Sequence, residues 1–357
     1  MPALRQVLSK IDDYPAFLDA CWQEHLAPRA DDAPTVISTF AGAGGSSLGY
    51  SMAGFRELLA VEWDNNAVET FRLNFPDVPV YHGDIAKLSV DEVLQRTGLQ
   101  PGQLDVFDGS PPCQGFSTAG KRIMDDPRNQ LFREYVRLLR GLQPKVLVME
   151  NVSGMVKGKM KLLFAEILRE LKASGYQVSA RLLNAMYFGV PQSRERMIFV
   201  GVRNDLDKAP SHPQAWSMPV TVGAAFNGLQ DDAGSRIVPK ADSLTFQQMT
   251  KVLPGNRCKL HHSHHRLSER KHSPTVDRGG GAGEWHIWHP IDNRPITKHE
   301  VRRLGSFPDG YLFAGTISDA FTRIGNSVPP LFMRSIAQHI RREILSKTPI
   351  LIPNDAV

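Results

Sequence analysis

Cysteine is scarce, with three in 357 residues: Cys21, Cys113 and Cys258. An odd and widely spaced set excludes a disulfide framework and points to a reducing cytoplasm. No apolar run approaches the ~20 residues needed to span a bilayer, so no membrane segment is expected. The opening Met1-Pro-Ala-Leu-Arg-Gln6 lacks the apolar core of a secretory signal. Internal repeats and low-complexity tracts are missing as well. The glycine-rich stretch near residue 44 has no Walker lysine, which argues against a P-loop nucleotide site. His261-His-Ser-His-His265 has no Cys pair or acid at ligand spacing, so no metal centre is expected.

What is present is an ordinary globular composition, 41% hydrophobic and 22% charged, in a length that suits one large domain with or without a smaller partner. The net charge of +5 is unevenly placed. Residues 251–303 hold 11 Lys/Arg against 5 Asp/Glu, a local +6, and the remainder of the chain sums to about −1. Eight of the 12 histidines fall in the same window. A basic run is most often a solvated face, but beside a near-neutral body it suits a lobe that binds a polyanion.

Residues 3–26 carry Leu4, Val7, Leu8, Ile11, Phe17, Leu18 and Cys21 on one helical stripe, broken near Pro15. They predict a helical packing extension without chemistry, followed by a polar linker to residue 34. A β-branched strand follows over 35–40, then the glycine turn Ala41-Gly-Ala-Gly-Gly-Ser-Ser-Leu-Gly49 into a helix. Such a turn lets a ligand approach the backbone and offers free N–H groups at the helix start. It fails the dinucleotide fingerprint, because Ser47 stands in the third glycine's place after Gly42 and Gly44. A strand over 58–63 ends in Glu62, placed to grip ribose hydroxyls, with Trp63 beside it to cover an adenine face. A third unit, 78–85, ends in Asp84, able to accept from an exocyclic amine. Each acid alone reads equally as a solvated strand end. Three successive βα units delivering such groups to one sheet edge favour an adenosyl ligand. Strands over 104–107, 145–149, 178–183 and 197–202 and helices over 131–142 and 160–173 continue the rhythm. It stops from 204 to about 293, where Gly279-Gly-Gly-Ala-Gly283 and Trp285-His-Ile-Trp288 suggest a flexible loop with aromatics suited to groove insertion. A last helix carries Leu331, Ile336, Ile340 and Ile344 on one face.

The chain is organised around Asp108-Gly-Ser-Pro-Pro-Cys-Gln-Gly-Phe-Ser117. Two prolines stiffen the chain at a strand's C-terminal end, and a cysteine follows at once with Gly115 behind it. A lone intracellular Cys is commonly a small buried hydrophobe. Polar Ser110, Gln114 and Ser117 crowd Cys113, which favours a nucleophile. Glu150 closes an almost purely apolar strand, where desolvation would favour its protonated form, unless it merely caps the next turn. Arg194 and Arg196 alternate on an extended segment and so share a side, suiting a phosphate or carboxylate, or structural ion pairs.

Together these residues resemble the DNA (cytosine-5) methyltransferase family of prokaryotic restriction–modification systems. The resemblance rests on six blocks in family order, Phe40-Ala-Gly-Ala-Gly-Gly45, Gly109-Ser-Pro-Pro-Cys-Gln114, Glu150-Asn-Val152, Gln192-Ser-Arg-Glu-Arg196, Arg294-Pro-Ile-Thr297 and Gly325-Asn-Ser-Val328. It implies an α/β fold, a Rossmann-like methyltransferase sheet that binds S-adenosyl-L-methionine (SAM) without a metal. Residues 1–34 would be an N-terminal extension and 35–203 the catalytic domain. Residues 204–293 would be a small inserted target-recognition domain, and 294–357 would return to the catalytic domain. By family correspondence Cys113 is the nucleophile and Glu150 the acid at ring N3 and the exocyclic amine. Arg194 is the base-side arginine near O2, and Arg196 its neighbour around the catalytic loop and the phosphate. The cofactor pocket would comprise Phe40, Gly42, Gly44, Gly45, Glu62, Trp63, Asp84, Ile85, Pro111, Asn326 and Val328, with the last helix folded back beside the first strand.

The substrate implied is a cytosine flipped out of double-stranded DNA. Gln114 and Ser117 would fill the gap or hold phosphate, and Arg270, Lys271 and Arg278 are further candidates for DNA contact. A monomer is expected, with room for a cognate restriction endonuclease acting on the same site. The tRNA-methylating branch of the family carries a Cys-Phe-Thr triplet that this sequence lacks. A catalytically dead DNA-binding relative is disfavoured by the retained Cys113, Glu150, Arg194 and Arg196, and a nicotinamide-linked enzyme by the broken fingerprint.

Overall fold

The computed structural model describes residues 8–112, 130–156, 160–230, 233–236, 243–259, 264–277 and 286–346. Seven strands form one sheet: β1 (Thr35–Thr39), β2 (Arg56–Glu62), β3 (Val80–His82), β4 (Val106–Gly109), β5 (Val146–Val152), β6 (Tyr176–Asn184) and β7 (Glu195–Arg203). Their order is β3-β2-β1-β4-β5-β7-β6. The first five are parallel, and β7 enters antiparallel between β5 and β6. The chain reverses its direction of travel across the sheet between β1 and β4, the place where such folds open a crevice at the strands' carboxyl ends.

Why these strands sit centrally is visible in their alternation. Val36, Ala60, Val106, Val146 and Val148 face one core, whereas Ile37, Leu59, Phe107, Leu147 and Met149 face the other. Both faces are apolar because both are covered by helices, as a parallel sheet requires. On the second face lie α4 (Val90–Thr97), α5 (Gln130–Leu142) and α6 (Met160–Ala173), contributing Val93, Leu138, Leu139 and Ile167. On the first lie α1 (Tyr14–Leu26), α2 (Gly45–Met52) and α11 (Pro330–His339). Asp105 fastens the far ends of three strands. It accepts from Thr35 N at 2.8 Å and pairs with Lys145 at 2.7 Å.

Among the described residues the helix predicted over 3–26 begins at Tyr14, and residues 3–7 lie outside them. Asp13 caps it by accepting from Ala16 N at 3.0 Å, and Pro15 occupies the first turn, where its missing N–H costs nothing. Pro15 therefore starts the helix instead of breaking it. Upstream, Ser9 is extended and exchanges backbone bonds of 2.8 Å with Trp216 and Met218. The predicted third strand is also shorter. It ends at His82, and Asp84 caps a 3-10 turn over Ile85–Lys87.

From 204 onward the αβ alternation does stop. Two short helices, α7 (Val222–Phe226) and α8 (Leu244–Met249), accompany a two-residue parallel pair, β8 (His265–Arg266) and β9 (Ile287–Trp288). Met249, Cys258 and Trp288 form a small core of their own, whereas Val220, Val222 and Ala225 join the large one. The chain then passes through α9 (Lys298–Leu304) and α10 (Ile317–Asn326), the latter tied by Arg323 to Asp64, the cap of α3 (Asn65–Asn74), into α11. Helix α11 lies directly on α2, so close that a Cβ on Gly49 would stand 2.6 Å from the Met333 Cβ. This brings the last helix beside the element that follows β1. Among the described residues no helix is long and apolar enough to cross a membrane.

Candidate active site

The crevice at the β1/β4 reversal is built from segments far apart in sequence. Phe40 leaves β1 with φ of 55°, a left-handed backbone that a bulky residue rarely adopts, and Gly42 and Gly44 follow at 56° and 84°. Three left-handed residues in five turn the chain tightly into the amino end of α2. Facing this turn are Arg323, Asn326, Ser327 and Val328 at the end of α10, with Ser110 from the β4 end completing a narrow cavity. Tyr311 fastens the turn from behind, its hydroxyl donating to Ala43 O. Trp22 of α1 meets Tyr311 edge-on at 6.2 Å, so the N-terminal helix supports the turn indirectly.

Glu62 ends β2 inside the crevice. Gly42 N donates to its Oε2 at 2.7 Å, and Trp63 N and Asp64 N donate to Oε1 at 2.8 and 2.9 Å. Three backbone donors fix the carboxylate's orientation while leaving lone-pair capacity for a ligand hydroxyl. Trp63 beside it is 77% exposed. Asp84 is exposed and spends one oxygen on Ala86 N at 3.0 Å, and Ile85 is buried.

The reacting side is only partly described. Cys113, Gln114 and Ser117 lie outside the described residues, as does Arg278. The approach to Cys113 is described as far as Pro112. Pro111 is buried, and its carbonyl accepts from Asn151 Nδ2 at 3.2 Å, which ties the β4 exit to the β5 end. One residue back, Glu150 is 8% exposed and pairs with Arg196, Nε to Oε1 at 2.6 Å. Its surroundings are therefore not apolar alone.

Arg194, 2% exposed, donates from Nη1 to Val276 O and from Nη2 to Gly325 O, each at 2.8 Å, and its buried Nε has no hydrogen-bond partner among the described residues. Burial, followed by nearby Arg196, pulls its guanidinium below the ordinary arginine value. The side chain thus joins the β7 entrance, the 273–276 segment and the α10 end. Thr275 and Val276 reinforce that junction, through Oγ1 to Ser193 O at 2.6 Å and through N to Gln192 Oε1 at 3.0 Å.

Beside this junction opens a cleft of about 440 Å³, lined among others by Ser193, Arg257, Lys271, His272 and Thr275. Lys271 is exposed there, and Arg270 next to it is exposed but not part of the lining. Among the described residues no group of three or more His, Cys, Asp or Glu could hold a metal ion; His261 and His262 lie outside them.

Two residues at this end of the sheet drew no attention as site residues in the sequence: one lines the cavity and one is buried behind it. Arg323 sits one helical turn before Asn326, inside a block that draws attention to its Gly-Asn pair. Asp108 looks like a strand-end acid but is 2% exposed. Burial pushes its carboxyl up to about 8, against a Tyr50 hydroxyl that donates to it at 3.2 Å. The signal for Asp108 was its place between Phe107 and Gly109 in a run buried on both faces.

A family profile for C-5 cytosine-specific DNA methylases matches residues 34–342. The Type II methyltransferase M1.HphI of Haemophilus parahaemolyticus is 36% identical over 325 residues, covering 86% of each chain. The Type II methyltransferase M.XorII of Xanthomonas oryzae pv. oryzae is 32% identical, covering 88% of this chain and 86% of that one. Among solved structures, a prophage-encoded E. coli protein assigned to the DNA modification methyltransferases superposes with a TM-score of 0.74 at 27% identity, over 88% of this chain and all of its own. The S. pombe Dnmt2 methyltransferase shares the fold, with a TM-score of 0.65 at 18% identity over 86% of this chain and 98% of its own.

Proposed function

Given that the chain belongs to the C-5 cytosine-specific DNA methylase family and is a DNA (cytosine-5) methyltransferase, we propose that it methylates a cytosine flipped out of double-stranded DNA through a covalent bond from Cys113 to ring carbon C6. The observation that carries this reading is the Glu150–Arg196 pair at 2.6 Å, held beside the Pro111 carbonyl that leads to Cys113. Cytosine C5 is too weakly nucleophilic to take a methyl group unaided. Addition of the Cys113 thiolate at C6 pushes electrons toward C5 and makes it an enamine-like carbon, splitting one hard step into easier ones. Negative charge then grows on the ring, and Glu150 holds a proton at N3 to neutralise it. Arg196 keeps the Glu150 side chain turned toward the ring. Arg194 gathers residues 276 and 325 around the base, leaving its remaining N–H groups for the O2 side.

SAM, when bound, supplies the methyl group that C5 accepts. The crevice fits it. The cavity between the glycine turn and residues 326–328 would take its amino-acid end, Glu62 the ribose hydroxyls, and Trp63 the adenine face, with Asp84 and Ile85 at the adenine rim. The methylated ring then loses its C5 proton to water or hydroxide, the C5–C6 double bond re-forms, and the Cys113 thiolate departs from C6. No metal takes part.

The lobe over 204–293 is proposed to read the target sequence, with the cleft at Lys271 facing the DNA backbone. The Type II names of the relatives support a partner endonuclease acting on the same site as part of this proposal, and the cytoplasm is the compartment proposed for the enzyme. Bisulfite sequencing of DNA from expressing cells should reveal one methylated sequence. Site DNA carrying 5-fluorocytosine should trap the enzyme covalently through Cys113. Turnover of that DNA without a trapped adduct would refute the mechanism.

A further inference from the structure

We propose that Arg323 grips the amino-acid carboxylate of the cofactor. The proposal rests on the reading that SAM occupies the crevice, and it assigns one end of that ligand to one side chain.

Arg323 stands in the last turn of α10, a helix fixed at its start by reciprocal bonds between Thr316 and Asp319. Its side chain is 14% exposed and lines the narrow cavity together with Gly42, Gly45, Ser110 and Ser327. Among the described residues that line the cavity, it is the one charged side chain. Asp64 holds it from one side, Nη2 to Oδ2 at 3.1 Å, while the other Asp64 oxygen caps α3 through Ala67 N at 2.9 Å. The guanidinium is thereby aimed, but its buried Nε has no hydrogen-bond partner among the described residues. A buried donor of a charged group left unused is costly, and a ligand acceptor would relieve that cost. The amino end of α2 opens onto the same space, since Gly45 and Ser46 also line it, and it adds partial positive charge.

Two positive features converging on one cavity select an anion. The sulfonium and ammonium of SAM would be repelled there, and its ribose already has Glu62. The carboxylate is the one negative group the ligand carries, and a planar guanidinium suits it.

Calorimetric titration of the full chain with S-adenosylhomocysteine and with 5′-methylthioadenosine, which lacks the amino-acid portion, separates the cases. Wild type should prefer S-adenosylhomocysteine. Arg323→Gln should weaken S-adenosylhomocysteine roughly ten- to hundredfold, the range expected for losing a charged hydrogen bond, and leave 5′-methylthioadenosine unchanged. Arg323→Lys should recover part of the loss, and it stands in if the glutamine variant fails to fold. Equal weakening of both ligands would make Arg323 a mere tie between α10 and α3 and overturn the proposal, as would undiminished S-adenosylhomocysteine binding. Wild type that binds neither ligand would overturn the cofactor reading itself, and this proposal with it.

Discussion

Glu150 and Arg196 meet across the antiparallel β5–β7 ladder, Nε to Oε1 at 2.6 Å, with Arg196 registered opposite Val152 two residues along the strand. Because both lie on regular strands, their separation is set by backbone hydrogen bonding and needs no loop to close. Glu150→Gln keeps the shape but cannot transfer a proton. Single-turnover methyl transfer should fall by roughly 10²–10⁴-fold, the usual worth of a placed acid. Arg196→Ala should cost less alone and add little to Glu150→Gln, because it acts through Glu150. Full additivity in a double-mutant cycle would separate the two.

Asp108 should make stability fall with pH. Its folded carboxyl sits at about 8, against about 4 in an unfolded chain. Between those values the folded protein holds one more proton than the unfolded chain, so stability present at low pH is lost as pH rises through 8, by up to about 1.4 kcal/mol per unit. Asp108→Asn keeps an acceptor for Tyr50 and removes the titration. Its melting temperature should gain on wild type between pH 6 and pH 8.5; parallel curves would show that Asp108 ionises freely.

Gly49→Ala tests the seat of α11 on α2. In an open helix Ala would be favoured over Gly by about 1 kcal/mol. Here the added carbon would lie 2.7 Å from Arg334 N and from Pro330 O, backbone atoms that cannot swing aside. Strain should win, with a net loss of roughly 1–3 kcal/mol in chemical denaturation.

Lys271→Ala tests the cleft. If Lys271 meets a phosphate, affinity should drop by a similar factor for target and unrelated DNA, and the slope of log K against log salt should shrink by about one. A drop confined to the target sequence would make Lys271 a base reader instead. Replacing 204–293 with the segment of a relative should redirect the sequence methylated.

Much of the central sheet was legible because buried parallel strands announce themselves as short β-branched runs between turn formers. Helix α6 was legible to its end residues because its apolar spacing is uninterrupted. The N-terminal stripe misled, since Leu8 and Ile11 fit a helical period that Ser9 leaves to bond with Trp216 and Met218, a partner two hundred residues away that periodicity cannot reveal. Glu62 and Trp63 could be placed from strand position alone. The Glu150–Arg196 pairing could not, because it depends on β7 running antiparallel beside β5. Arg323 was hidden for a similar reason. Its significance comes from the cavity it faces, and that cavity exists only after residues 40–46 and 323–328 are brought together.

That joining of early and late segments bears on how the protein is made. A ribosome must pass Val328 before the second wall of the crevice exists, so, on the proposed reading of that crevice, an unfinished chain would lack a complete cofactor site. Premature termination should then yield a fragment without methyl transfer, which an activity assay of chains ending before residue 323 checks.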